Sequence, residues 1–246
     1  MTFDPAQLDH WVFDLDNTLY PADCNLFTQV DRRMGEFIAE RLNLPYDQAR
    51  QRQKAYFRTY GTTLRGLMSE HDIPPREFLD YVHDIDFSVL TENVPLKEVL
   101  SRLPGTKVIY TNADVGYAEK VLDRLGLSRA FSGVFDIHQA DYRPKPAPES
   151  YQKMIRLFGI TPERAVMIED IARNLVPAHH LGMKTVWVPT ALSWSRDGME
   201  EKHIDHTAED LTGWLQSLLD RSSGETVPEA EEPAAGKNAR RRQGAY

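Results

Sequence analysis

A single cysteine, Cys24, stands in 246 residues. No disulfide can form within the chain, and a cysteine-rich metal site is excluded. A reducing cytosol suits this composition best. No apolar run is long enough to cross a membrane, and the opening residues lack the basic stretch and uninterrupted apolar segment of a secretory leader. Neither a leader nor a membrane partner is therefore expected. Positive charge is also in deficit: 29 lysines and arginines face 37 aspartates and glutamates, a formal net charge of -8. That balance gives no general signal for a nucleic-acid polymer, although a small positive pocket can lie inside an acidic surface. Apolar side chains are plentiful at 41% of the residues. They suffice for one large α/β domain, or for a core with a smaller insert.

The most informative run is Trp11-Val-Phe-Asp-Leu-Asp-Asn-Thr-Leu19. A short apolar strand signal leads directly into Asp14, Asp16 and Thr18. In a parallel α/β protein, ligands bind at the carboxyl ends of the strands. While the backbone stays extended, a period of two puts Asp14 and Asp16 on one side. Two such carboxylates repel unless a cation or a proton intervenes. The run is either a metal-assisted reaction centre or a costly pair of turn-capping acids.

Apolar periodicity predicts helices over most of residues 22–94, with no alternating strand pattern. Downstream, strand signals at 107–111, 133–135, 166–168 and 185–188 alternate with helical ones, including a helix at Pro148–Phe158. The expected architecture is α/β: a Rossmann-like, mostly parallel sheet built from residues 1–20 and 96–220, interrupted by an all-helical insert at 21–95. Such an insert can form a lid over a rigid sheet, or simply complete one compact domain. Residues 221–246 lack core periodicity and read as a disordered tail. Its basic cluster Arg240-Arg-Arg242 can touch RNA or acidic lipid, or serve only to solubilise.

Other polar groups gather at the predicted strand ends: Thr111-Asn112, Lys145 before a helix, and Glu169-Asp170 followed by Asn174. Taken singly, each has a plain structural explanation, such as a surface lysine, a helix-capping threonine or acids at a helix start. Their joint placement is a workable inventory for phosphoryl transfer. A hard cation bound by oxygen ligands relieves the repulsion between a phosphate and an anionic nucleophile. Asp14 would attack phosphorus. Asp16 would protonate the departing alkoxide and later deprotonate water. Asp170 would hold the metal with Glu169 in support, Lys145 would balance charge, Thr111 would donate to a phosphate oxygen, and Asn174 would orient the acidic loop.

In that order, Asp14-Leu-Asp-Asn-Thr18, Thr111-Asn112, Lys145 and Glu169-Asp170 with Asn174 resemble the haloacid-dehalogenase-like hydrolase superfamily. The resemblance implies a Rossmann-like core with a helical cap of the first type. It makes Asp14 the nucleophile and Asp16 the general acid/base, and it matches Thr111, Asn112 and Lys145 to phosphate-binding positions. Asp170, with Asp14 and the Asp16 backbone carbonyl, would ligate Mg2+. Dehalogenases proper lack the second aspartate, so its presence implies a phosphatase or a phosphomutase. Phe13-Asp-Leu-Asp-Asn-Thr-Leu-Tyr-Pro21 and Tyr60-Gly-Thr-Thr-Leu-Arg-Gly-Leu67 narrow the resemblance to the pyrimidine 5'-nucleotidase branch, whose expected substrates are UMP and CMP. There Tyr20, Tyr60, Thr62, Thr63 and Arg65 would contact the substrate or seat the cap. The alternatives are a broad small-metabolite or lysophosphatidate phosphatase, a phosphosugar mutase, and a non-enzymatic interaction protein on an inactive phosphatase fold. The last would be expected to lack a central chemical residue.

Overall fold

The computed structural model describes residues 4–199 and 202–222. Among them, six parallel strands form one sheet: β1 (His10–Phe13), β2 (Thr106–Tyr110), β3 (Gly133–Phe135), β4 (Ala165–Glu169), β5 (Lys184–Trp187) and β6 (His206–Thr207). Their spatial order is β3-β2-β1-β4-β5-β6. In the register, Phe13 lies beside Ile109 on one side and Ile168 on the other. The chain builds outward from β1 in one direction, then returns to build in the other. The crevice at the carboxyl ends of β2, β1 and β4 is therefore the topological switch point where such sheets bind ligands.

Strand alternation explains the two cores. Trp11, Phe13, Ile109, Val166, Ile168 and Val186 pack on one face of the sheet. Val12, Val108, Tyr110, Ala165 and Met167 pack on the other. With both faces covered, the strands read as short continuous apolar runs rather than as hydrophobic-polar alternation. Trp11 and Phe13 are fully buried, each worth about 1.5–3 kcal/mol of transfer free energy. The indole of Trp11 also donates to the Pro104 carbonyl at 2.8 Å. Gly105 follows at φ +74°, where an added Cβ would lie 2.3 Å from the Asp9 carbonyl oxygen. Only glycine can make the turn that lays β2 beside β1.

Five helices lie in the connection from β1 to β2: α1 (Leu26–Leu42), α2 (Tyr46–Tyr60), α3 (Thr63–His71), α4 (Pro75–Val82) and α5 (Val94–Arg102). The first four form the expected all-helical insert, whose buried side chains share one core cluster with α5 and one face of the sheet. Asn93 caps α5 by accepting from the Leu96 N–H at 3.1 Å, so this helix begins two residues ahead of the expected core boundary at 96. The rest of the chain supplies α6 (Val115–Arg124), α7 (Pro148–Phe158), α8 (Val176–His180) and α9 (Leu211–Ser222). Residues 221 and 222, expected in the tail, belong to α9. The Arg221 guanidinium donates to the Ser217 carbonyl at 3.0 Å and Ser217 Oγ at 3.1 Å, closing the last turn. The remainder of the expected tail lies outside the described residues. No described helix is long and apolar enough to cross a membrane.

Candidate active site

The ladder of β1 continues one bond beyond the strand, from the Asp14 N–H to the Ile168 carbonyl at 2.8 Å. The chain then turns at Asn17, whose φ of +59° lies in the left-handed region that asparagine tolerates better than most residues. This turn brings the Thr18 hydroxyl back to donate to Asp14 Oδ2 at 3.0 Å. Extended geometry ends here, so Asp14 and Asp16 face different partners.

Lys145 occupies the centre of the cluster. Its Nζ lies 2.6 Å from Asp14 Oδ1, 2.5 Å from Glu169 Oε2 and 2.9 Å from the Tyr110 carbonyl oxygen. An ammonium has three N–H donors, and each has an acceptor. Burial opposes the charge on Lys145, but Asp14 and Glu169 outweigh it and hold its pKa above the usual lysine range. Glu169 is further fixed through Oε1, which accepts from Asn174 Nδ2 at 3.0 Å and the Ile171 N–H at 3.3 Å. Asn174 itself is tied down by the Tyr151 hydroxyl, which donates to its carbonyl at 2.5 Å.

One oxygen each from Asp14, Glu169 and Asp170 lies within 4.8 Å of the others, and all three residues are buried. Burial, then the charge of Asp14, raises the pKa of both Glu169 and Asp170. Burial and Asp14 also raise that of Asp16, against the hydrogen bonds it receives. Three buried carboxylates, those of Asp14, Glu169 and Asp170, thus crowd one ammonium. Beside them Asn17 donates to Asp170 Oδ2 at 3.5 Å, while its own Oδ1 is buried without a partner among the described residues. Surplus buried negative charge and an unused oxygen acceptor fit a hard divalent cation.

The remaining expected residues are placed less uniformly. Thr111 lies just past β2, is 1% exposed, and accepts from the Ala113 N–H at 3.0 Å, which leaves its hydroxyl proton available. Asn112 was expected on phosphate, yet its side chain brackets the Lys145 backbone. Its Oδ1 accepts from the Lys145 N–H at 2.8 Å, and its Nδ2 donates to the Lys145 carbonyl at 3.4 Å. Tyr20 was expected to touch substrate or cap, but it is buried and donates its hydroxyl to Asp16 Oδ1. Tyr60 donates to Glu70 Oε1 at 2.9 Å within the insert. Thr62 caps α3 by accepting from the Arg65 N–H at 3.2 Å, and Thr63 is buried in that helix. The turn before α3 abuts the site. A Cβ on Gly61 would lie 3.4 Å from Pro144 Cγ and 3.7 Å from the Lys145 carbonyl oxygen.

Three features escape sequence reasoning. Tyr117, on the first turn of α6, donates to Asp16 Oδ1 at 2.7 Å across 101 positions of sequence. His83 at the end of α4 meets Asp114 Oδ2 at 2.5 Å, joining insert and core. The Arg173 guanidinium lies 4.5 Å above the Phe57 ring of α2. Their available signal is position alone: Asp114 and Tyr117 follow β2 at the end of the sheet where the site forms.

Comparison with known proteins agrees with this geometry. The family model for haloacid dehalogenase-like hydrolases matches residues 8–182. The chain is 25% identical to "Phosphate metabolism protein 8" of Saccharomyces cerevisiae over 198 residues, 73% of this chain and 61% of the yeast protein. It is 27% identical to a glyceraldehyde 3-phosphate phosphatase of Pyrococcus furiosus over 230 residues, covering 86% of this chain and 93% of the archaeal one. In fold it is similar to a haloacid dehalogenase-like (HAD) phosphatase from Thermococcus onnurineus. The TM-score is 0.57 at 20% identity, over 89% of this chain and all of that one. It is also similar to a magnesium-bound HAD-hydrolase of Bacillus subtilis, at TM-score 0.53 and 15% identity over 86% of this chain and 98% of the other. The chain belongs to the haloacid dehalogenase-like hydrolases.

Proposed function

We propose that the chain is a magnesium-dependent phosphomonoester hydrolase that works through a phosphorylated Asp14, with UMP and CMP as its foremost substrates. The observation that carries the chemistry is the seat of Asp14. At the end of the central strand it lies between the Lys145 ammonium at 2.6 Å and the Thr18 hydroxyl at 3.0 Å, with Glu169 and Asp170 alongside.

In this reading an Asp14 oxygen attacks phosphorus as the bond to the ester oxygen breaks, the electron pair staying on that oxygen. Asp16 delivers a proton there and the alcohol leaves. Ionised Asp16 then takes a proton from water, whose oxygen attacks phosphorus of the aspartyl phosphate. Inorganic phosphate departs and the Asp14 carboxylate is restored. Lys145 and the Thr111 hydroxyl face the phosphate oxygens and offset their charge. Asp14, the Asp16 backbone carbonyl and Asp170 would hold magnesium, with Glu169 and Asn174 in support, and the ion would supply positive charge against the phosphate. The insert acts as a cap, excluding bulk water.

The nucleotide reading rests on the stretches at 13–21 and 60–67, the second of which turns against the Lys145 segment at Gly61. Thr62, Thr63 and Arg65 would line its polar side. A second reading, a small sugar-phosphate phosphatase, is favoured by the Pyrococcus furiosus relative, which spans most of the chain. Phosphate release with magnesium is the test, comparing UMP, CMP, purine nucleotides, glyceraldehyde 3-phosphate, hexose phosphates and lysophosphatidate. Highest catalytic efficiency on UMP or CMP supports the first reading, and preference for glyceraldehyde 3-phosphate supports the second. Isomerisation of a glucose phosphate points to a mutase. Unchanged turnover in Asp14→Asn removes the proposed nucleophile.

A further inference from the structure

Asp16 has an unusual seat for a group that must first give a proton and then take one. Its Oδ1 receives two phenol hydroxyls, that of Tyr20 and that of Tyr117 at 2.7 Å. The two hydroxyls are 3.4 Å apart, and Tyr20 and Tyr117 are 3% and 2% exposed. Both hydroxyls donate to the same carboxyl oxygen.

Tyr117 is itself anchored. Its N–H donates to Asp114 Oδ1 at 2.9 Å, and its ring stacks on the His83 imidazole at 4.3 Å between centroids. His83 in turn meets Asp114 Oδ2 at 2.5 Å. The seat of Asp16 is thus built from the turn after β1, the first turn of α6, and the end of α4 in the cap.

We infer that Tyr20 and Tyr117 are positioning residues that select which Asp16 oxygen carries the proton. This inference rests on the hydrolase reading given above. With two donors on Oδ1, the proton to be delivered resides on Oδ2. From there it passes to the ester oxygen as the phosphorus–oxygen bond breaks, and the electron pair left on Oδ2 accepts the proton of the attacking water in the next step. In this role the phenols act through Asp16, to which both donate. They act by fixing the rotation of one carboxyl group, and a small misplacement of a proton donor is enough to slow a reaction severely. His83 makes that aim sensitive to how the cap sits.

The test exploits the leaving group. An alkoxide needs the proton, whereas nitrophenolate departs without it, and kcat/KM reports the steps through phosphorylation of Asp14. For Tyr117→Phe and Tyr20→Phe, kcat/KM on the preferred alkyl phosphate is expected to fall about ten- to a hundred-fold, within the range general acid catalysis contributes, while p-nitrophenyl phosphate falls far less. The ratio of the two esters is measured in one preparation, so it does not depend on the fraction that folds. Asp16→Asn should show the same selectivity more strongly, and Tyr117→Phe added to it should cost nothing further. Equal losses on both esters, no loss, or losses that add to those of Asp16→Asn overturn the positioning role while leaving the hydrolase reading intact. If Asp16→Asn itself shows no selectivity for the alkyl ester, the assignment of Asp16 fails, and the inference falls with it.

Discussion

Replacing Lys145 with methionine keeps the length and most of the volume of the side chain while deleting its charge. In the native site the ammonium is 2% exposed, and its acceptors Asp14 and Glu169 are 5% and 1% exposed. All three N–H donors are used, so the substitution strands two buried carboxylates and the Tyr110 carbonyl together. Removing one partner of a buried ion pair costs about 3–5 kcal/mol, because the remaining charge keeps its desolvation penalty without its Coulombic gain. At ~2–4 °C per kcal/mol for a domain of this size, the melting temperature should drop by about 6–20 °C. Urea denaturation in the presence of a chelator reads the effect directly. A second substitution separates lost packing from stranded charge: Glu169→Gln in the Lys145→Met background removes one orphaned carboxylate and should recover part of the loss. A Lys145→Met variant within about 1 kcal/mol of the parent, below the range for a broken buried pair, refutes the reasoning. So does a double variant less stable than Lys145→Met.

Acid stability should report the joint between cap and core. Burial works against the charge of Asp114, but hydrogen bonding and charge from His83, then the Tyr117 N–H and His138, pull its pKa from 3.8 to about 2. A carboxylate depressed in the folded state adds stability above its unfolded pKa, here on the order of 2 kcal/mol, which is lost as pH falls from about 4 to about 2. Urea midpoints across that window should flatten in Asp114→Asn, and an unchanged slope contradicts the assignment. Gly66→Ala tests the packing of α3 on α2, since the new methyl would lie 2.4 Å from Cγ of the buried Tyr56. Overpacking of about 1–3 kcal/mol should exceed the ~1 kcal/mol that alanine gains in helix propensity, so a variant as stable as the parent means that Tyr56 yields. Thr111→Val should weaken inhibition by inorganic phosphate about ten-fold, the value of one lost hydrogen bond. Unaltered inhibition removes Thr111 from the phosphate site.

What the sequence disclosed followed from how local the signal was. β1 and α7 carry their own periodicity, and α7 occupies Pro148–Phe158 as expected. The switch point was legible because Asp14, Thr111 and Glu169 each end an apolar run. β6 has two residues and α8 five, too short for a period to show. The partners of Asp16 were invisible for another reason. Tyr117 reaches it across 101 positions, and a tyrosine on an apolar helix face reads as packing until the fold places its hydroxyl. The contact that Asn112 makes was equally invisible: its side chain holds the backbone of Lys145, 33 positions on, and so fixes the loop that carries the ammonium.

The position of β1, with a strand on either side, also sets an order of failure. Central strands belong to the parts of a protein that open only with the whole molecule, whereas helices joined to a domain at its margin can open at lower free energy. The amides of residues 12–14, including the Asp14 N–H bonded to Ile168, should therefore be among the last to exchange with solvent deuterium, well after those of α2 and α3. Under mild denaturant the helical insert would loosen first, while Asp14 and its bond to Ile168 hold until the sheet itself comes apart.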